Sequence, residues 1–224
     1  MKALIFDSGA LITLSMNGLL YVLEELKRNF PGKFLITHSV KREVIDRPIN
    51  VPRFELGALR VQNLIDLGVL ELPESLGVSQ EEIQKETQKL MTAANDLIRI
   101  DGKPIDIVSE GEMSCLALSA IISKKNIDSI IAIDERTTRI LAEKPESLEQ
   151  LISKKMHKRA ELKSQNISLF SKFRFIRSSE LVYVAFKKGV LNISGPKTLE
   201  AVLYATKFTG SSISFDEIKA LKKL

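Results

Sequence analysis

The sequence predicts an α/β fold in which a mainly parallel sheet carries helices on both faces, a three-layer α/β/α sandwich. Three observations support this. Short β-rich runs alternate with longer segments of helical periodicity along the chain. At 224 residues, 44% of them hydrophobic, the chain is long enough for one well-buried core and cramped for two, so one domain with an elaboration is expected. Two of the β-rich runs also end on an aspartate, and open parallel sheets place their sites at the carboxyl ends of strands.

The elements follow in order. ALIFD (3–7) reads as a first strand, and NGLLYVLEELKRNF (17–30) as a helix with Leu20, Leu23 and Leu26, or Leu19, Leu23 and Leu26, on one face. FLIT (34–37) is a second strand. SVKREVID (39–46) is a helix that Pro48 stops, because proline has no amide to continue the ladder. PRFELGALRVQNLIDLG (52–68) is a helix closed by Gly68, and VLELP (69–73) a strand. SQEEIQKETQKLMTAAND (79–96) opens on Ser79 with Glu82 three residues on, a capping-box start. EGEMSCLALSAIISKKN (110–126) is a helix with a buried stripe, SIIAID (129–134) a strand and ERTTRILAE (135–143) a helix.

Composition excludes several classes. Lys plus Arg number 33 against 28 Asp plus Glu, giving a net charge of +5 and a pI near 9.2, a mild excess that suits a polyanionic partner. The single cysteine, Cys115, excludes an intramolecular disulfide or a Cys-rich zinc site and fits a reducing cytoplasm. His38 and His157 have no second soft ligand at metal spacing, and all three residues are expected to be structural or on the surface. Asp7 interrupts the N-terminal apolar run and no apolar segment is long enough to span a bilayer, so neither export nor a membrane is expected. There is no Gly-rich phosphate loop of the kind nucleotide-binding sheets use, which disfavours a small-molecule α/β enzyme.

The acids carry the chemistry. Asp7 ends one strand and Asp134 another, so if these strands are neighbours two carboxylates meet on one rim. An Asp after a strand also serves simply as a helix cap. Glu43 projects from the helix after FLIT, and Glu112 lies in the first turn of the helix beginning near Glu110. Surface ion pairing and the helix dipole are their ordinary roles. Carboxylates gathered together raise one another's pKa, a cost that a divalent cation removes, and hard oxygen ligands favour Mg2+ or Mn2+ over zinc.

These residues resemble the PIN-domain nucleases. The resemblance rests on IFDSGALITL with Asp7 and Ser8, THSVKREVID with Glu43, SEGEMSCLALSAI with Glu112, and IAIDERTTRILA with Asp134, in the family's order and roughly its spacing. FIRSSELVYVAFKKGVL (175–191) is similar to the family's last strand and following helix, and the segment 195–224 to its closing helices. The resemblance implies a sheet of about five parallel strands and metal-dependent hydrolysis of phosphodiester bonds, usually in RNA. It also implies roles: Asp7 and Asp134 hold the main ion, Glu43 and Glu112 complete the cage or orient water, and Ser8 bonds a ligand or phosphate. The third acidic position is often Asp in that family. Here it is Glu112 after Gly111, with Glu110 as a rival, and Glu135 crowds Asp134.

A segment of about 144–172 is left over as an insertion. In PESLEQLISKKMHKRAELKSQ (145–165), Leu148, Leu151, Ile152, Met156 and, more loosely, Arg159 and Leu162 mark one helical side. Lys154, Lys155, Lys158 and Lys163 crowd elsewhere. Such a helix either tracks a phosphate backbone or docks by its stripe with a solvated basic face. Arg136 and Arg139 likewise contact phosphate or pair with carboxylates. The candidate substrate residues are Ser8, Arg136, Lys154, Lys155, Lys158 and Arg159. The expected partner is RNA, single-stranded or structured, with room for a homodimer or an inhibitory protein partner. The alternative function is a PIN-like scaffold that binds nucleic acid without useful catalysis.

Overall fold

The computed structural model describes residues 1–163 and 166–224. The chain begins with strand β1 (Lys2–Phe6), then helices α1 (Ser8–Met16) and α2 (Tyr21–Asn29), strand β2 (Gly32–Leu35) and the short helix α3 (His38–Lys41), which runs into a π-turn at Arg42–Asp46. Helices α4 (Pro52–Asp66) and α5 (Gln80–Asn95) follow, then strands β3 (Ile98–Ile100) and β4 (Lys103–Pro104). After α6 (Glu110–Lys124) come β5 (Asp128–Ala132), α7 (Arg136–Glu143), α8 (Leu148–Met156) and β6 (Ala160–Leu162). The chain closes with β7 (Phe175–Ile176), α9 (Ser178–Lys187), α10 (Thr198–Thr209) and α11 (Phe215–Leu221).

Among the described residues the main sheet has four strands in the order β2-β1-β5-β7, all parallel. The expected α/β class therefore stands, with a difference at the edge. VLELP forms no full strand. Glu71 makes a parallel bridge to Leu35, its amide donating to the Phe34 carbonyl at 2.8 Å while the Ile36 amide donates to its own carbonyl at 3.1 Å. Pro73 starts a 3-10 turn directly afterwards, so the ladder has no room to continue. Helices cover both faces: α6 lies on β1 and β5 with α5 packed over it, while α1, α2 and α9 pack together in the other layer. Both faces of β1 are thus dry, and Ile5, Phe6, Leu35 and Ile131 are fully buried. Among the described residues no helix is long and apolar enough to cross a membrane.

Local signals explain most element ends. Ser79 and Glu82 form the expected capping box on α5. Gly68, at φ +68°, takes the left-handed turn that closes α4. Helix α1 went unassigned from sequence because SGALITLSM is apolar nearly all round and shows no stripe. Its Ala10, Leu11 and Leu14 are fully buried.

The insertion differs from the expected basic helix. Helix α8 ends at Met156, His157 turns left-handed at φ 51°, and the chain then becomes β6, antiparallel to β3 with Ala160 opposite Ile100. A second sheet, β4-β3-β6, results. Leu148 and Ile152 dock as expected, but Met156 is 49% exposed, and Arg159 and Leu162 lie beyond the helix. The single helical stripe is therefore corrected to a helix plus a strand. Unmet backbone groups of β3 attract the strand, an effect that outweighs side-chain periodicity. Ser164 and Gln165, the end of the expected helix, lie outside the described residues.

Candidate active site

Asp7 follows β1 without a gap. Its amide donates to the Ala132 carbonyl at 2.9 Å, carrying the β1–β5 ladder one step past the strand. Its side chain caps α1, Oδ2 accepting from the Gly9 amide at 3.1 Å. The other oxygen, Oδ1, is buried and has no hydrogen-bond partner among the described residues. Burial, then the charges of Glu112 and Glu43, push this carboxyl up to about 7, against opposition from the Gly9 and Ser8 amides.

Asp134 lies on the neighbouring strand's extension and is also buried. Both acids flank the start of α1, since a Cβ on Gly9 would stand 3.3 Å from Asp7 Oδ2 and 3.9 Å from Asp134 Cβ. Asp134 is tied to α9: the Ser178 amide donates to Oδ1 at 2.9 Å and the Ser178 hydroxyl to Oδ2 at 2.6 Å. It therefore also caps a helix that begins 44 residues later.

Glu43 sits in the π-turn, a helical irregularity frequent at functional sites. Its carboxylate lies against Gly111, where a Cβ would come within 2.8 Å of both oxygens. Glycine at this position leaves room for the Glu43 carboxylate against α6. The approach is held by Thr37, which caps α3 and shares a 2.7 Å hydrogen bond with Ser114, whose hydroxyl donates to the Gly111 carbonyl at 2.6 Å. Glu112 closes the group from the next residue. It forms a capping box with Ser109, its amide donating to the Ser109 hydroxyl and its Oε2 accepting from the Ser109 amide, and Thr138 of α7 also donates to Oε2. Burial raises its pKa, the Thr138 bond opposing and Glu135 adding to the rise.

The structure thus brings Asp7, Glu43 and Glu112 into mutual electrostatic reach, with Asp134 beside Asp7. Glu110 faces away: its side chain is 53% exposed, accepting from Ser39 at 2.8 Å and pairing with Arg42 at 3.7 Å. Glu135 caps α7 through Thr138 and bonds Thr137. Cys115 is buried under the acids, its thiol donating to the Phe6 carbonyl at 3.6 Å. Burial and the Asp7 and Glu43 charges push it well above the usual thiol range.

Of the candidate substrate residues, Ser8 opens α1 beside Asp7 and is half-buried. Arg136 opens α7, exposed and without an ion pair among the described residues. Arg139 is instead folded onto Glu143 at 3.2 Å. Lys154, Lys155, Lys158 and Arg159 are all exposed but do not act as one cluster. Lys155 reaches Glu135 at 4.0 Å, placing its charge beside the rim, whereas Lys158 pairs with Asp101 at 2.7 Å.

Sequence reasoning missed Ser178, Thr138, Ser109 and the reason for Gly111. Ser109 was findable, since Ser109 and Glu112 repeat the spacing of Ser79 and Glu82. Ser178 carries no local signal, because its partner arrives through the fold.

The donor chemistry fits a hard divalent cation in kind: all-oxygen ligands, one buried carboxylate oxygen without a partner among the described residues, and the like charges of Glu112 and Glu43 bearing on Asp7. As the side chains stand, no three His, Cys, Asp or Glu residues among the described residues form a group that could hold a metal ion. Glu112 and Asp134 each accept from a neighbour, Thr138 and Ser178, and keep their remaining lone pairs for an ion.

No family model, curated protein or solved structure matches the chain. Fold and site define it on their own terms as an α/β protein with carboxylates gathered at the carboxyl rim of a parallel sheet.

Proposed function

We propose that this chain is a PIN-like endoribonuclease that hydrolyses RNA phosphodiester bonds with Mg2+ or Mn2+. The observation that carries the reading is Asp7, a buried carboxylate with an oxygen left unpaired and two glutamates bearing on it. Such an arrangement costs stability in the empty protein, and a function that neutralises the charge explains its presence. Asp7, Asp134, Glu43 and Glu112 would hold the ion, which supplies a water acidic enough to attack at neutral pH and charge to offset the phosphate.

The protein's own groups do the rest. Ser178 fixes Asp134 from both oxygens, so this carboxylate offers its remaining lone pairs in one orientation. Glu43, held against Gly111, orients the attacking water. Lys155 and Arg136 on the rim draw the phosphate backbone towards an otherwise acidic site. Ser8 donates its hydroxyl to a phosphate oxygen.

The test is cleavage of labelled RNAs across a Mg2+ and Mn2+ titration, with Asp7→Asn as the control. Metal-dependent cleavage that disappears in the variant supports the reading, and equal cleavage by parent and variant refutes it. A nucleic-acid-binding scaffold is the second reading, favoured by the hydrogen bonds that Thr138 and Ser178 already make to the Glu112 and Asp134 carboxylates. It predicts RNA binding with no cleavage at any metal concentration.

A further inference from the structure

A cavity of about 300 Å3 lies between α3 and α5, next to the acids but separate from them. Two of its lining residues are chain neighbours of the site: Arg42 precedes Glu43, and Glu110 precedes Gly111. The α5 wall repeats at helical spacing, so Ile83, Gln84, Thr87, Gln88 and Met91 face it together.

Three features of this cavity point to one ligand chemistry. Ile83 and Met91 supply an apolar surface, while Gln84 and Gln88 stand exposed at its mouth with amides that both donate and accept. A nucleobase has the same division, with apolar faces and a hydrogen-bonding edge, and glutamine amides pair with such edges. The volume is at the lower end for small-ligand sites, fitting a base with part of its sugar. The third feature is Thr87. This residue is 4% exposed and lines the cavity, and its hydroxyl has no hydrogen-bond partner among the described residues. A buried hydroxyl without a partner costs about 1–3 kcal/mol, which a polar ligand that reached it from the cavity would remove.

We propose that this cavity is a base-binding subsite. It takes one nucleobase of an RNA strand whose neighbouring phosphate lies at the Asp7–Glu43 rim, and Gln84, Thr87 and Gln88 read the base edge. Arg42 lines the cavity and directly precedes Glu43 in the chain, and turning from Glu110, 3.7 Å away, it meets the phosphate that joins the two. The placement beside a scissile phosphate rests on the ribonuclease reading; the base pocket itself does not.

Two measurements separate these claims. The first is binding of AMP, CMP, GMP and UMP to the full chain in EDTA, followed by amide chemical shifts. We expect perturbations along residues 80–91, one base preferred over the others, and about a fivefold to tenfold weaker affinity in Gln84→Ala and in Thr87→Val. Thr87→Val preserves shape and removes the orphaned hydroxyl, so its thermal stability should equal or exceed the parent's. Unfolding of the variant is then not an explanation for lost binding. Perturbations elsewhere, or affinities unchanged in both variants, overturn the subsite. The second measurement is cleavage mapping on a randomised RNA. A preference at one position next to the cut, lost in Gln84→Ala, supports the RNA strand as the source of the base. Nucleotide binding without any cleavage leaves the pocket standing and removes the nuclease reading. Cleavage without nucleotide binding or base preference does the reverse.

Discussion

The carboxylate of Glu43 occupies the space that a side chain on Gly111 would need, both its oxygens lying 2.8 Å from the place a Cβ would take. The obstacle is the free end of a flexible side chain, so Gly111→Ala should displace Glu43 rather than unfold the protein. We expect stability within about 1 kcal/mol of the parent and cleavage reduced by about 100-fold, the scale of a misplaced catalytic group. Paired denaturation and single-turnover assays check this. A fully active Gly111→Ala protein would remove Glu43 from the chemistry.

Asp7 links pH to stability. Its carboxyl is pushed up to about 7 in the folded chain from the ordinary aspartate value of 3.8, so across that window the folded chain binds the extra proton. The protonated group is tolerated and the charged one is not. Stability is therefore lost as pH rises from about 4 to 7. Asp7→Asn carries no such charge, so in EDTA it should be more stable than the parent above pH 7, by a few kcal/mol at roughly 1.4 kcal/mol per pK unit, and equal to it near pH 4. Added Mg2+ should then raise the melting temperature of the parent but not of the variant. A stability difference that does not vary with pH would show that Asp7 ionises freely.

Ser178→Ala removes the hydroxyl bonded to Asp134 while leaving the amide bond in place. Because the acceptor is a buried carboxylate, the expected cost is about 1.5–3 kcal/mol, read by urea denaturation. Ser178→Thr, which restores a hydroxyl, should recover part of it. A neutral Ser178→Ala would mean that the backbone amide alone anchors Asp134.

The basic insertion makes a graded prediction. Lys155 stands at the rim and Lys158 is paired with Asp101, so the two should differ when each is changed to Gln. Lys155→Gln should flatten the salt dependence of RNA binding by about one unit of slope and Lys158→Gln by less. The quadruple change of Lys154, Lys155, Lys158 and Arg159 should flatten it most without altering thermal stability, since Leu148 and Ile152 still dock α8. An unchanged slope in the quadruple variant assigns all four to solvation.

Alternation made the parallel sheet legible, because buried strands and their covering helices leave different periods in the sequence. Asp7, Glu43, Glu112 and Asp134 were legible as a set because each follows or opens a recognisable element. What supports them was not. Ser178 and Thr138 act on acids 44 and 26 residues away, and short-range patterns carry no record of such pairs. The strand β6 was hidden for a related reason: AEL continues the helical stripe of α8, and only its partner β3 decides otherwise. The fifth strand was over-read, since VLELP has the composition of a strand but Pro73 ends it at one bridge.

The strand order β2-β1-β5-β7 has a consequence for synthesis. Of the two inner strands, β1 precedes β5, which brings Asp134, by more than 100 residues, and Ser178 follows later still. A nascent chain emerging from the ribosome past α5 therefore carries Asp7 and Glu43 but neither Glu112 nor Asp134, and one strand edge of β1 stays open. Translation proceeds at about 5–20 residues per second, so for some seconds the polypeptide sits against ribosomal RNA with its acids unassembled. The topology keeps the four acids apart until most of the chain has left the tunnel.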